Sequence, residues 1–149
     1  AQNAKDFYNK IIDNLPCDIF VSSAAISDWK VKKIFTEKIK KNNKDLLNLT
    51  FRKNIDVLEK VSKHQNRPKL IIGFSAETEN LIANSKLKLK KKGCDWIIAN
   101  DVSQNRVFGS NYNTVNFITN DKIETWPKMK KSDVAKKISK KIVNFFKKK

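Results

Sequence analysis

Lys88 and Lys92 stand four residues apart, so on a helix they share one face. Two ammonium groups so placed can hold a polyanion such as a triphosphate. Lysines near a helix C-terminus also simply offset the macrodipole, an effect of roughly 0.3–1 kcal/mol each. Short apolar segments flank this pair: Lys69 to Phe74, running on through Ser75-Ala76-Glu77-Thr78, and Trp96 to Ala99, running on through Asn100-Asp101-Val102. A third, Asp18 to Ser23, leads into Ala24-Ala25-Ile26-Ser27-Asp28, where small side chains let a ligand approach the backbone. In parallel α/β sheets ligands bind beyond the carboxyl ends of the strands. Asp28, Glu77 and Asp101 at such a rim are candidate metal or ribose contacts; equally, Asp28 and Asp101 are ordinary loop caps. Lys38, within Thr36-Glu37-Lys38-Ile39-Lys40-Lys41, is either a solvated charge or a residue that folds over a phosphate chain.

Other chemistries find no support. Neither GxxxxGK[ST] nor GxGxxG occurs in a chain with three glycines. His64 has no Ser, Cys or second His at useful spacing and reads as structural or exposed. Cys17 and Cys94 lack both metal-ligand spacing and a positioned base, and read as reduced thiols of a cytoplasmic protein. No apolar run approaches the ~20 residues of a membrane span.

The elements that must position these groups follow from periodicity. Ala4, Phe7, Tyr8, Ile11, Ile12 and Leu15 predict a helix over Gln2 to Leu15, ended by Pro16. Asp18 to Ser23, Lys69 to Phe74 and Trp96 to Ala99 are short apolar runs of the buried-strand type. Trp29 to Asn43 is charged and irregular and reads as a mobile loop, with Leu46 to Phe51 a short strand. Asn54 is the expected cap of a helix burying Val57, Leu58 and Val61. Thr78 is the expected cap of the next helix, with Leu81, Ile82, Ser85 and Leu89 inward and Gly93 closing it. Thr114 to Thr119 and Lys122 to Trp126, joined by Asn120-Asp121, predict an edge hairpin. Ser132 opens a last helix with Val134, Ile138, Ile142 and Phe145 on one face. The expected class is α/β: a Rossmann-like, mostly parallel sheet flanked by helices, with an antiparallel edge hairpin near the C-terminus. No linker or repeat divides residues 1–149, which read as one domain.

The chain carries 32 Lys+Arg against 15 Asp+Glu, a formal charge of +17. Such a balance raises nucleic acid or another polyanion as partner. Yet Arg52, Arg67 and Arg106 are the only arginines, and base readout favours bidentate Arg. The aromatics fall on core stripes and are not interleaved with a basic groove. Nucleic acid is therefore the disfavoured partner, and the AT-rich-codon bias towards Lys, Asn, Ile and Phe accounts for much of the charge.

These segments, in this order, resemble phosphopantothenate–cysteine ligase, the C-terminal half of the bifunctional coenzyme A biosynthesis flavoprotein. Ala24-Ala25-Ile26-Ser27-Asp28 stands for the family's Ala-Ala-Val-Ala-Asp, and Glu37 to Lys41 for Glu-Lys-Ile-Lys-Lys. Lys53 to Val57 stands for Lys-Asn-Pro-Asp-Ile, and Gly73 to Thr78 for Gly-Phe-Ala-Ala-Glu-Thr. Lys88 to Asp95, Ala99 to Val102 and Phe108 to Asn113 match three further motifs. Ile55 replaces a proline, and Ser27 and Ser75 replace alanines.

The resemblance implies a CTP- and magnesium-dependent ligase that joins 4′-phosphopantothenate to cysteine through an acyl-cytidylate. It implies a cytidine pocket of Ala24, Asn54, Ile55, Asp56, Val57 and Phe74, with Asp28 near the ribose or metal. Lys88 and Lys92 would meet the triphosphate. Lys38 would be the catalytic residue that closes over the α-phosphate. The loop of Asn100, Asp101, Phe108 and Asn113 would serve substrate or dimer contact, and a homodimer is expected. Metal ligands stay unassigned, and FMN belongs to a separate decarboxylase domain. The family's upstream strands precede Ala1, so the chain is expected to be the nucleotide-side portion of the ligase, binding CTP weakly and not completing the reaction alone. The competing readings are a basic nucleic-acid or polyanion-binding module and a degenerate α/β fragment without activity.

Overall fold

The apolar runs become neighbouring strands because each is apolar on both faces and must be covered from both sides. The computed structural model describes residues 1–34, 49–103 and 110–147. Its main sheet has the order β1-β4-β5-β6-β7, formed by β1 (Ile19–Ser22), β4 (Leu70–Glu77), β5 (Trp96–Asp101), β6 (Tyr112–Ile118) and β7 (Ile123–Lys130). β1, β4 and β5 run parallel, and β6 and β7 form an antiparallel hairpin at the edge. The expected sheet and hairpin are both present.

Strand alternation divides the core into two layers. Ile71, Ile97, Ala99 and Ile118 face one side, against Val57, Leu58 and Val61 of α2 (Val57–Ser62) and Leu89 of α3 (Leu81–Lys92). Phe7, Tyr8 and Ile11 of α1 (Ala4–Ile12) pack onto that layer. Leu70, Ile72, Trp96, Ile98, Phe117 and Trp126 face the other side, under Val134 and Ile138 of α4 (Lys131–Lys147). Phe117 and Trp126 stack with centroids 5.7 Å apart.

Several local expectations change. Trp29–Val31 (β2) is not irregular: it pairs antiparallel with Phe51–Lys53 (β3) in a separate two-stranded ribbon. Bonds from Lys32 N to Thr50 O (2.8 Å) and Asn54 N to Asp28 O (2.7 Å) close it at both ends. Such long-range pairing leaves no local period to read. The strand expected over 46–51 begins only at Phe51, and 35–48 lie outside the described residues. Asn54 does not cap α2; Asp56 does, accepting from Glu59 N at 3.1 Å. Thr78 does not cap α3, because β4 stays paired with β5 through Glu77↔Asp101 and turns only afterwards. Asn80 takes the N-cap position instead, in the left-handed region at φ 49° with no side-chain cap bond. Asn is among the few side chains that tolerate that region. Gly93 closes α3 at φ 69°, as expected.

Candidate functional site

Three carboxyl strand ends and two helices enclose a cleft of 430 Å³. β1 ends at Ser22, and the following loop lays Ala24, Ala25, Ile26, Ser27 and Asp28 along one wall. That loop is held by its own polar groups. The Ser27 hydroxyl donates to Trp29 O at 2.8 Å, and Asn54 Nδ2 donates to Ser27 O at 3.0 Å. Asn54 thus fastens the loop to the segment that enters α2, and Ile55, Asp56 and Val57 follow directly into the cleft. Phe74, Ser75 and Ala76 of β4 and Asn100 of β5 form the floor. Lys88 and Lys92 of α3 complete the rim, on one helix face as their spacing requires.

Ala24, Asp28, Ile55, Asp56, Val57, Phe74, Lys88, Lys92 and Asn100 are therefore gathered in one place. Asn54 is adjacent and acts through backbone and side-chain bonds. Asp101 is not a lining residue. Its carboxylate accepts from Ser103 N at 2.8 Å, and that backbone bond is the main reason its carboxyl lies below the ordinary range. Asn113 sits in β6 opposite Met129 and is not a lining residue of the cleft. Lys38 and Phe108 lie outside the described residues.

The acidic rim does not assemble as three ligands. Glu77 accepts from the Ser75 hydroxyl at 2.6 Å and is not a lining residue of the cleft, whereas Asp28 is. Among the described residues no group of three or more His, Cys, Asp and Glu could hold a metal. Asp28 nevertheless fits a magnesium ion that takes most of its ligands from water and phosphate, since its carboxylate has no ion pair among the described residues. Lys88 likewise has no carboxylate partner among the described residues, whereas Lys92 pairs with Asp56. Sequence reasoning missed Ser75, whose side chain is buried at the floor. Its signal was alternation along β4, which turns Gly73, Ser75 and Glu77 to the α2–α3 side.

A second cavity, of 540 Å³, lies at the opposite end of the sheet around Trp96, Phe117 and Phe145. Its cations are committed elsewhere, Lys122 and Lys141 to Glu124, and Asp95 pairs with Arg67 at 2.9 Å. Of these two cavities, the cleft at the strand ends is the one lined by a lysine, Lys88, with no carboxylate partner among the described residues.

Residues 1–146 match the profile of the DNA/pantothenate metabolism flavoprotein C-terminal domain. The chain is 40% identical over 140 residues to the coenzyme A biosynthesis bifunctional protein CoaBC of Borreliella burgdorferi, covering 93% of this chain and 34% of that protein. It is 38% identical over 150 residues to the protein of that name from Methanocaldococcus jannaschii, covering 97% and 35%. The chain thus spans about a third of the length of these relatives. The fold matches a crystal structure of the C-terminal domain of CoaBC with TM-score 0.77 at 23% identity, covering 100% of this chain and 65% of that one. It also matches the DNA/pantothenate metabolism flavoprotein of Streptococcus pneumoniae with TM-score 0.76 at 18% identity, covering 97% and 71%. With a profile match over nearly its whole length, and the strand-end cleft in place, this chain belongs to the DNA/pantothenate metabolism flavoprotein C-terminal domain family.

Proposed function

We propose that this chain is the nucleotide-holding part of a phosphopantothenate–cysteine ligase, with CTP in the strand-end cleft. The observation that carries this reading is the cleft itself. It joins an apolar wall (Ile26, Ile55, Val57), small residues that admit a ligand to the backbone (Ala24, Ala25, Ala76), and two lysines on one helix face. A nucleoside needs the first two and a phosphate chain the third.

In the reaction, the carboxylate of 4′-phosphopantothenate attacks the α-phosphate of CTP. A carboxyl-oxygen–phosphorus bond forms and pyrophosphate leaves. The cysteine amine then attacks the acyl carbon, forming the amide and releasing CMP. Ile55 and Val57 offer the base an apolar surface, Phe74 packs on the α4 side of the sheet and would meet the ligand through its backbone, and backbone groups of 54–57 lie where the base's polar edge can be read. Lys88 supplies positive charge where negative charge builds up on the departing phosphates, the kind of fixed electrostatic stabilisation that contributes most in a partly closed site. Magnesium, held by Asp28 and phosphate oxygens, would supply further charge neutralisation. Lys38 would stabilise the α-phosphate. Homodimer formation through the hairpin β6–β7 and the loop after Asp101 belongs to the same reading.

Calorimetric titration with CTP and with ATP, each with magnesium, tests this. The expected result is saturable binding, tighter for CTP, and weakened by about tenfold or more in Lys88→Ala, the loss of one charge-assisted phosphate contact. Equal affinity for any polyanion, falling steeply with salt, would instead mark a nonspecific phosphate-binding surface.

A further inference from the structure

The two cleft lysines are not equivalent. Lys88 has no carboxylate partner among the described residues, whereas the Lys92 ammonium donates to Asp56 Oδ2. The other oxygen of the same carboxylate, Oδ1, accepts from Glu59 N at 3.1 Å and caps α2. One carboxylate therefore ties the start of α2 to the end of α3. Both side chains line the cleft, and at 17% exposure for Lys92 and 30% for Asp56 the pair is partly withdrawn from water.

We propose that Asp56 is a positioning residue, aiming the Lys92 ammonium so that its remaining N–H donors meet the phosphate chain of the ligand. The inference rests on the nucleotide reading above and adds a role for Asp56 that acts through Lys92 and not on the base. An ammonium group has three donors and no acceptor. One donor spent on Asp56 leaves two for phosphate oxygens. The lysine stem has four rotatable bonds, and ordering it on binding costs rotamer entropy. A lysine already anchored by a capped carboxylate has lost that freedom before the ligand arrives, and so binds phosphate with less ordering still to do.

The neighbouring charges support this assignment. Glu59 is the nearby carboxylate that could compete for Lys92, but its Oε1 accepts from Lys63 at 2.6 Å. That bond is the main cause of its lowered pKa, with Lys92 a lesser one. Asp56 is itself fixed, since its cap bond and its backbone bond to Lys60 N (3.0 Å) hold it at the head of α2.

Asp56→Asn separates the two jobs, because Asn remains a good N-cap while losing the charge that fixes Lys92. The wild-type chain, Asp56→Asn, Lys92→Met and the double variant are titrated with CTP and CMP, each with magnesium, and melted thermally. Positioning predicts that Asp56→Asn weakens CTP about tenfold and CMP by no more than about threefold, with Tm within ~2 °C of wild type. It also predicts that Asp56→Asn adds no further loss once Lys92 is Met. CTP bound as tightly as by wild type, or more tightly, would overturn the proposal, as would equal weakening of CTP and CMP. If the wild-type chain itself takes up no CTP, the nucleotide reading fails and this inference with it.

Discussion

Gly73 shows how tightly single residues set the cleft floor. A Cβ at this position would stand 2.8 Å from Leu58 Cδ2 and 2.9 Å from Ile97 Cδ1, closer than real contacts allow. Its neighbours are core side chains of α2 and β5, so they cannot swing into solvent. Phe74 and Ser75 follow immediately, and any shift of β4 passes into the cleft. Gly73→Ala is therefore expected to destabilise the chain by about 1–3 kcal/mol, the usual penalty for overpacking a filled core. A lowered urea midpoint with an unchanged slope would show it; a midpoint equal to wild type would mean that the α2 layer yields without strain. From the sequence, Gly73 reads as part of a ligand-like strand end. Its packing role was hidden, because it depends on Leu58 and Ile97 meeting from either side.

At the scale of elements, the hairpin and α4 are locked by one carboxylate. Glu124 in β7 accepts from Lys141 of α4 (2.9 Å to Oε1) and from Lys122, also at 2.9 Å, with Trp126 Nε1 at 3.4 Å. The bonds from Lys141 and then Lys122 outweigh partial burial and hold its pKa at about 2 against an ordinary 4.5. The unfolded chain therefore takes up a proton near pH 4.5, which the folded chain refuses until about pH 2. The stabilisation is fully present above 4.5 and is lost as pH falls from there towards 2. With the side chain 32% exposed, solvent screening reduces it to about 1 kcal/mol. Glu124→Gln should lose that amount at neutral pH and converge with wild type at the acid end, as read from denaturant midpoints across the acid range. Parallel curves for the two proteins would refute the lock. The hairpin and α4 were legible because alternation and the i, i+4 stripe are local signals. The ribbon β2–β3 was not, since its partners are linked through a long intervening segment. The helix caps were misplaced by two residues at both α2 and α3: Asn54 and Thr78 have suitable side chains, but one is used to pin the loop at Ser27 and the other still follows a paired strand.

Across the whole molecule, the sequence shows a sheet covered on both faces and a ligand-bearing end, because apolar runs and small residues recur in order. It does not show which charges survive for a ligand, since pairing across the fold decides that: Lys92 meets Asp56 thirty-six positions away. The same two-layer packing decides the fate of the thiols. Cys17 is exposed, while Cys94 lies in the α2–α3 layer at 4% exposure, 3.6 Å from where a Cβ on Gly73 would stand. Burial pushes the Cys94 thiol up to about 11, so little thiolate forms near neutrality even if reagent reaches it. A disulfide reagent near pH 8 should modify Cys17 rapidly and Cys94 only through opening of that layer. The slow phase should accelerate in Gly73→Ala, which loosens the same packing, and slow with bound CTP, whose cleft borders α2 and α3. Two thiols reacting at one common rate would mean that the α2–α3 layer opens freely, and the cleft would then have no fixed wall on which to order a nucleotide.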